Sequence, residues 1–124
     1  MGTRLLTMDI RCERVYDWTP EDGTFPVLVD RLWPRGVKKE RLAGVQWDKD
    51  IAPSADLRKD FHSGALGFEE FSGRYTDELE GSDAGQKLLA RTKEAGASVV
   101  VLLYASKDKK ENHALVLADY LRGL

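Results

Sequence analysis

The alternation of apolar and polar residues predicts three strands. From residue 5 to residue 13 the two kinds alternate, which is typical of a strand with one buried face. A second strand is predicted over residues 27–32, where a short apolar run passes directly into charged and aromatic residues. The longest apolar run, residues 98–104, predicts a central parallel strand buried on both faces.

Helical periodicity follows in four other segments. Ser54 is predicted to cap a helix that ends near residue 62. Apolar residues recur at helical spacing over 68–79, a further helix is predicted over 84–95, and a last one over 112–121. Because helices separate two apolar strands, we expect a parallel crossover connection between those strands.

The connecting segments complete the predicted fold. Residues 16–26 are rich in turn-forming residues and predict a loop in which Trp18 packs locally. Residues 37–41 form a basic patch, interpreted as solvated surface with at most a short helical turn, and residues 45–53 are predicted to be extended. The pattern thus predicts a single α/β domain over residues 1–124, with a small, mainly parallel, Rossmann-like sheet of about three to four strands covered by helices.

Composition adds few constraints on function. The chain has 124 residues, of which 42% are hydrophobic and 32% charged, as in ordinary soluble proteins. No apolar run approaches the roughly 18 residues of a membrane span, and no signal-peptide core is found, so we expect no membrane association and a cytoplasmic location. With a net charge of −2, the chain lacks the basic excess of nucleic-acid-binding proteins, but such binding stays open.

The single cysteine, Cys12, excludes an internal disulfide and is interpreted as a packed apolar residue.

Two polar segments, residues 30–36 and 104–113, follow apolar strands and form the candidate site. Because parallel strands end at the same edge of a sheet, where open α/β sheets bind ligands, we expect the two segments to meet. Their arginines, lysines and helix N-terminus suit a phosphate, a sulfate or a carboxylate. The candidate catalytic residues are His113 and Ser106, and the candidate ligand-binding residues are Asp30, Arg31, Trp33, Arg35, Tyr104, Lys107 and Asn112.

Several of these side chains also have a structural interpretation. In its structural interpretation, Arg35 forms an ion pair with an aspartate of residues 48–50. Asn112 is favoured as the N-cap of the last helix rather than as a ligand-binding residue. His113 is either a general acid or base or a core-edge histidine bonded to a carbonyl, and His62 is expected at the surface. No metal-site spacing of histidines and no glycine-rich phosphate loop occur, so neither a metal ion nor a cofactor is predicted.

Three classes of function follow from these features. The first is the binding of an anionic, phosphate-bearing small molecule, with catalysis left open and with Trp33 or Tyr104 stacking on an organic part. The second is a nucleic-acid-associated module that uses the basic residues of two loops, Arg35, Lys38, Lys39, Arg41 and residues 107–110. The third is a non-catalytic interaction module with Trp18, Trp33 and Trp47 as a partner patch. The pattern sets no oligomeric state.

The same segments resemble a known family. The runs are VLVDRLWPRG at 27–36, WDKDIAPS at 47–54, LRK at 57–59, LLYASK at 102–107 and NHALVLAD at 112–119. They are similar to the bacterial YeaO-like branch of domain-of-unknown-function family 488, over nearly the whole chain from about residue 10. The resemblance implies a compact cytoplasmic α/β domain with these runs as its signature, and it implies no particular activity.

A longer branch of that family differs from this chain at two places. It carries a Cys-His-Arg triplet where this chain has Asn112-His113-Ala114, and a cysteine tends to end the preceding strand, where Tyr104 stands here. Only the histidine is shared in that alignment. The resemblance to the longer branch therefore gives no support to a thiolate mechanism in this chain.

Overall fold

A parallel sheet of four strands forms the centre of the computed structural model, which describes residues 8–124. The strands are β1 (Asp9–Arg14), β2 (Thr24–Leu28), β3 (Gln46–Trp47) and β4 (Val99–Tyr104). Their spatial order is β1-β4-β2-β3, and every neighbouring pair is parallel. The central position predicted for residues 98–104 is confirmed, because β4 pairs with a strand on each side. Residues 5–7 of the first predicted strand lie outside the described residues.

Four α-helices accompany the sheet: α1 (Ala55–His62), α2 (Phe68–Glu80), α3 (Ala84–Glu94) and α4 (His113–Arg122). The predicted N-cap is confirmed, because the Ser54 side chain accepts a hydrogen bond from the Leu57 backbone N–H at 3.3 Å. Asn112 caps α4 in the same way, accepting from Leu115 at 3.1 Å. Within residues 8–124, no helix combines the length and the apolar character that crossing a membrane requires.

The two faces of the sheet are covered differently. Side chains alternate along β4, so that Leu102 joins a core formed with all four helices, whereas Leu103 joins a second core on the other face. That second core contains Trp18 and Leu42, from irregular segments and short 3-10 turns. The predicted α/β class is confirmed, and all four α-helices pack on one face. The other face is covered by the connections from β1 to β2 and from β2 to β3. Neither connection has helical periodicity, so this face carries no α-helix.

The second strand lies earlier in the chain than predicted, over Thr24–Leu28 rather than 27–32. It includes Pro26, so the loop predicted over residues 16–26 ends earlier than expected. The carbonyl of Leu28 accepts a hydrogen bond from Asp48 on the β3 side, so the alternate residue Pro26 also faces that side. Because β3 pairs only with the last two residues of β2, no ladder bond is lost at the proline.

Candidate functional site

The two candidate segments meet at the carboxyl edge of the sheet. Leu28 of β2 lies opposite Leu103 of β4, and the two strands end at Leu28 and at Tyr104, within one residue of each other along the sheet. Beyond the strand ends, Oδ2 of Asp30 accepts a hydrogen bond from the Ala105 N–H at 3.1 Å. The carboxylate thus links residues 30–36 to the loop that follows β4.

His113 contacts the same carboxylate from the start of α4. Its Nε2 lies 3.1 Å from the Val29 carbonyl oxygen and 3.0 Å from Oδ1 of Asp30. Only the first contact has hydrogen-bond alignment, so Oδ1 is buried close to the imidazole but accepts no aligned hydrogen bond from residues 8–124. Because Nε2 faces two acceptor oxygens, we assign the hydrogen of this contact to that nitrogen.

A cavity of about 430 Å³ opens beside these groups, within the size range of small-molecule sites. It is lined by Asp30, Arg31, Arg35, Pro53, Arg58, His62, Phe71, Ala105, Ser106 and His113. Five of the predicted site residues therefore share one cavity. Ser106 is one of them, and its Oγ accepts a hydrogen bond from the Asp108 N–H at 3.2 Å.

The cavity holds three guanidinium groups that lack a carboxylate partner. Arg31 donates through Nε to the Pro53 carbonyl at 3.1 Å, which orients its two terminal nitrogens. In the part of the chain that is described, neither Arg31, Arg35 nor Arg58 has a carboxylate oxygen within 4.0 Å. The predicted alternative of an ion pair between Arg35 and residues 48–50 is wrong. Asp48 instead accepts from Arg91 at 2.7 Å, across the sheet edge.

Two residues outside the predicted site, Arg58 and His62, also line the cavity. They lie one turn apart on α1 and so share a face of that helix. His62 is exposed, as predicted, but it also lines the cavity, so His113 is not the only histidine near the site. The signal available in the sequence was their i, i+4 spacing, beside the LRK run at 57–59.

Positive charge surrounds His62. Partial burial and the charges of Arg58 and His113 lower the pKa of His62 from its ordinary value, while Asp30 opposes them by raising it. His62 is consequently harder to protonate than a free histidine.

Four predicted ligand-binding residues lie away from the cavity lining. Trp33 packs edge-on against Trp47, with ring centroids 5.3 Å apart, in the core on the helix-free face. Tyr104 is buried in the core on the helix face, and Lys107 is exposed. Asn112 is buried as the cap of α4, which is the interpretation the sequence favoured. The structure brings none of the four to the lining.

The three tryptophans do not share one environment. Trp18 is only 2% exposed and lies in the second core, as predicted for a locally packed residue. Trp47 is 36% exposed, and its Nε1 donates to the Asp30 carbonyl at 2.7 Å. Trp47 therefore supports the backbone of the site from the neighbouring strand, a role that no sequence pattern predicts.

The Cys12 thiol is half-buried beside the first turn of α4. Burial raises the pKa of the Cys12 thiol to about 11, and its Sγ contacts the Ala114 carbonyl at 3.4 Å, so the thiol is protonated at neutral pH. Among residues 8–124, no group of three or more His, Cys, Asp or Glu side chains is placed to hold a metal ion.

Comparison with known proteins shows the family of the chain that forms this cavity. A family model described as "Inactive DUF488-N3 subclade" matches residues 9–123, which include every residue of the cavity lining. The chain belongs to this family. Among curated relatives of this DUF488 chain, "Uncharacterized protein YeaO" of Escherichia coli (strain K12) is 46% identical over 117 residues, covering 94% of this chain and 100% of the relative. The resemblance to the YeaO-like branch is thereby confirmed.

Other relatives of this DUF488 protein come from mycobacteria. "Uncharacterized protein Rv3073c" of Mycobacterium tuberculosis (strain ATCC 25618 / H37Rv) is 43% identical over 115 residues, covering 92% of this chain and 94% of the relative. "Uncharacterized protein Mb3100c" of Mycobacterium bovis has the same identity and coverage. No solved structure matches the chain.

Proposed function

We propose that this protein binds an anionic, phosphate-bearing small molecule in the cavity at the carboxyl ends of β2 and β4, without converting it. One observation carries the proposal: a single cavity is lined by three guanidinium groups, none of which has a carboxylate partner among residues 8–124. A role in binding without turnover is supported by the description of the matched subclade as inactive. We also propose a cytoplasmic location, which the ordinary globular composition supports.

The arginines supply the geometry that phosphate needs. A guanidinium group offers a planar fork of donors that matches two oxygens of a phosphate, and it stays charged at any physiological pH. Arg31 is oriented for this by its bond to the Pro53 carbonyl. The N-terminus of α4, at His113, adds the partial positive charge of the helix dipole beside the cavity.

The cavity also suits an organic group. Phe71, Pro53 and Ala105 contribute apolar surface to its lining. A phosphate at the arginines would leave the remainder of a ligand against these side chains, where burial of apolar area adds affinity. This mixture of charge and apolar surface favours a phosphorylated organic molecule over inorganic phosphate alone.

A thermal-shift screen with nucleotides, sugar phosphates and inorganic phosphate tests the proposal. A ligand present at about 100 times its Kd stabilises a protein by about 2.7 kcal/mol, which raises Tm by several degrees. We expect such a rise in the wild type, its loss in Arg31→Ala and a smaller rise in Arg58→Ala. Arg74→Ala is the matched control, because Arg74 pairs with Glu70 on the surface of α2 and does not line the cavity.

Three outcomes contradict the proposal. If no ligand of the screen shifts the Tm of the wild type, the cavity does not bind phosphate-bearing molecules. If Arg74→Ala abolishes the shift as fully as Arg31→Ala, binding occurs elsewhere. If oligonucleotides bind more tightly than any mononucleotide, with an affinity that falls steeply as salt rises, the basic loops form a nucleic-acid surface instead.

A further inference from the structure

The charge of the cavity indicates a narrower class of ligand. We infer that the cavity binds doubly charged anions preferentially, a phosphomonoester rather than a phosphodiester or a carboxylate. Arg58 and His62 of α1 make this selection. The inference rests on the proposed function, since it names which anion the same cavity prefers. Both residues lie outside the two polar segments that the sequence predicts to form the site.

The first step is the balance of charge. Arg31, Arg35 and Arg58 carry permanent positive charges, and Asp30 is the one carboxylate of the lining. With both histidines neutral, the lining therefore has a net charge of +2. A dianion neutralises this charge, whereas a carboxylate or a phosphodiester leaves one positive charge without a partner in a partly enclosed space.

The second step is the arrangement of donors. Arg31 and Arg35 follow β2, whereas Arg58 and His62 project from α1, a separate element. A phosphomonoester has three terminal oxygens and can bind donors from both elements at once. A phosphodiester has two terminal oxygens, and its second organic substituent takes the place of the third. The donors of α1 thus discriminate between the two esters.

The third step is the titration of His62. The charged groups that face it are Arg58 on its own helix, His113 at the start of α4 and Asp30 beyond β2. In the free protein, partial burial and the neighbouring Arg58 charge hold the pKa of His62 below its ordinary value. A bound dianion replaces this repulsion with attraction, so His62 takes up a proton as the anion binds. The gained charge strengthens the preference for a dianion.

Selectivity is tested with a matched pair of ligands, a nucleoside 5′-monophosphate and the 3′,5′-cyclic phosphodiester of the same nucleoside, by calorimetry at pH 7. We expect the monoester to bind at least about tenfold more tightly, which corresponds to about 1.4 kcal/mol. In Arg58→Ala the ratio should collapse towards one, while Arg74→Ala keeps it. Equal affinities in the wild type, or an unchanged ratio in Arg58→Ala, overturn the inference.

Proton uptake is tested by NMR titration of the two histidines, assigned with His62→Gln. The probe is sulfate at 0.1 M, a dianion that does not itself titrate near neutral pH, against sodium chloride of equal ionic strength. We expect sulfate to raise the pKa of His62, and we expect Arg58→Ala to raise that pKa in the free protein. If sulfate has no more effect than sodium chloride, the coupling is absent and the inference fails.

Anion binding and selection of a dianion are distinguished by different results. If the wild type binds neither ester and no other phosphate compound, the proposed function is overturned together with this inference. If it binds both esters equally through Arg31, the cavity is a general anion site. In that case the proposed function stands and the role of Arg58 and His62 is refuted.

Discussion

The carboxylate of Asp30 accepts the backbone N–H of Ala105 at 3.1 Å, although the two residues are 75 positions apart in the chain. The same carboxylate lies 3.0 Å from Nε2 of His113. One side chain therefore joins the end of β2, the end of β4 and the start of α4. The cavity lies beside the point at which these three segments meet.

Replacing Asp30 should show how much its contact with the Ala105 N–H contributes to stability. Asp30→Ala leaves the Ala105 N–H without its acceptor and should lower the free energy of unfolding by about 1–3 kcal/mol. Asp30→Asn keeps an acceptor oxygen for that N–H and should cost clearly less. Urea denaturation of the three proteins measures the difference. A stability of Asp30→Ala equal to that of the wild type would show that the contact is not needed to hold the strand ends.

The pH dependence of stability should show that the pKa of His62 is lowered in the folded protein. Its pKa is lowered in the folded protein from an ordinary value of 6.5, so the unfolded chain binds the proton more readily. In the absence of anions, the wild type should therefore lose stability as pH falls below about 6.5. His62→Gln should lose less stability over the same range, because the other titrating groups are common to both proteins. Thermal unfolding between pH 7 and pH 5 checks this, and parallel curves would contradict it.

The Cys12 thiol should be unreactive in the folded protein. A pKa raised from 9.0 to about 11 lowers the thiolate population at pH 8 by about a hundredfold relative to an ordinary thiol. Alkylation by iodoacetamide should be correspondingly slow, and it should reach the rate of a free cysteine when the chain is unfolded in urea. Rapid labelling of the native protein at pH 8 would show that the thiol is not buried as described.

Two glycine substitutions should have opposite effects. Gly73 lies inside α2, is exposed, and has no atom within 4 Å of a Cβ built on it, so Gly73→Ala should stabilise the protein by about 0.5–1 kcal/mol. Gly36 has φ +78°, which an alanine adopts only with strain, so Gly36→Ala should destabilise it. Thermal unfolding of both variants is the measurement. A loss of stability in Gly73→Ala would refute the helical environment assigned to that position.

Much of the fold could be predicted because its signals are local. The apolar run at 98–104, the caps at Ser54 and Asn112 and the helical stripe over 68–79 each depend on neighbouring residues. The end of β2 could not be predicted in this way. It depends on how far β3 extends beside it, which allows Pro26 inside the strand and ends the strand at Leu28.

By itself, the sequence determined that two polar segments follow two apolar strands, and parallel pairing then required these segments to meet. Only the tertiary structure decided which of their side chains line the cavity. Asp30, Arg31 and Arg35 line it, whereas Trp33 packs on the opposite face of the sheet. Once a chain leaves a strand, the direction of each side chain depends on the partners it meets. The face of α1 likewise reaches the cavity because all four helices pack on the same side of the sheet, a long-range arrangement that no local pattern encodes.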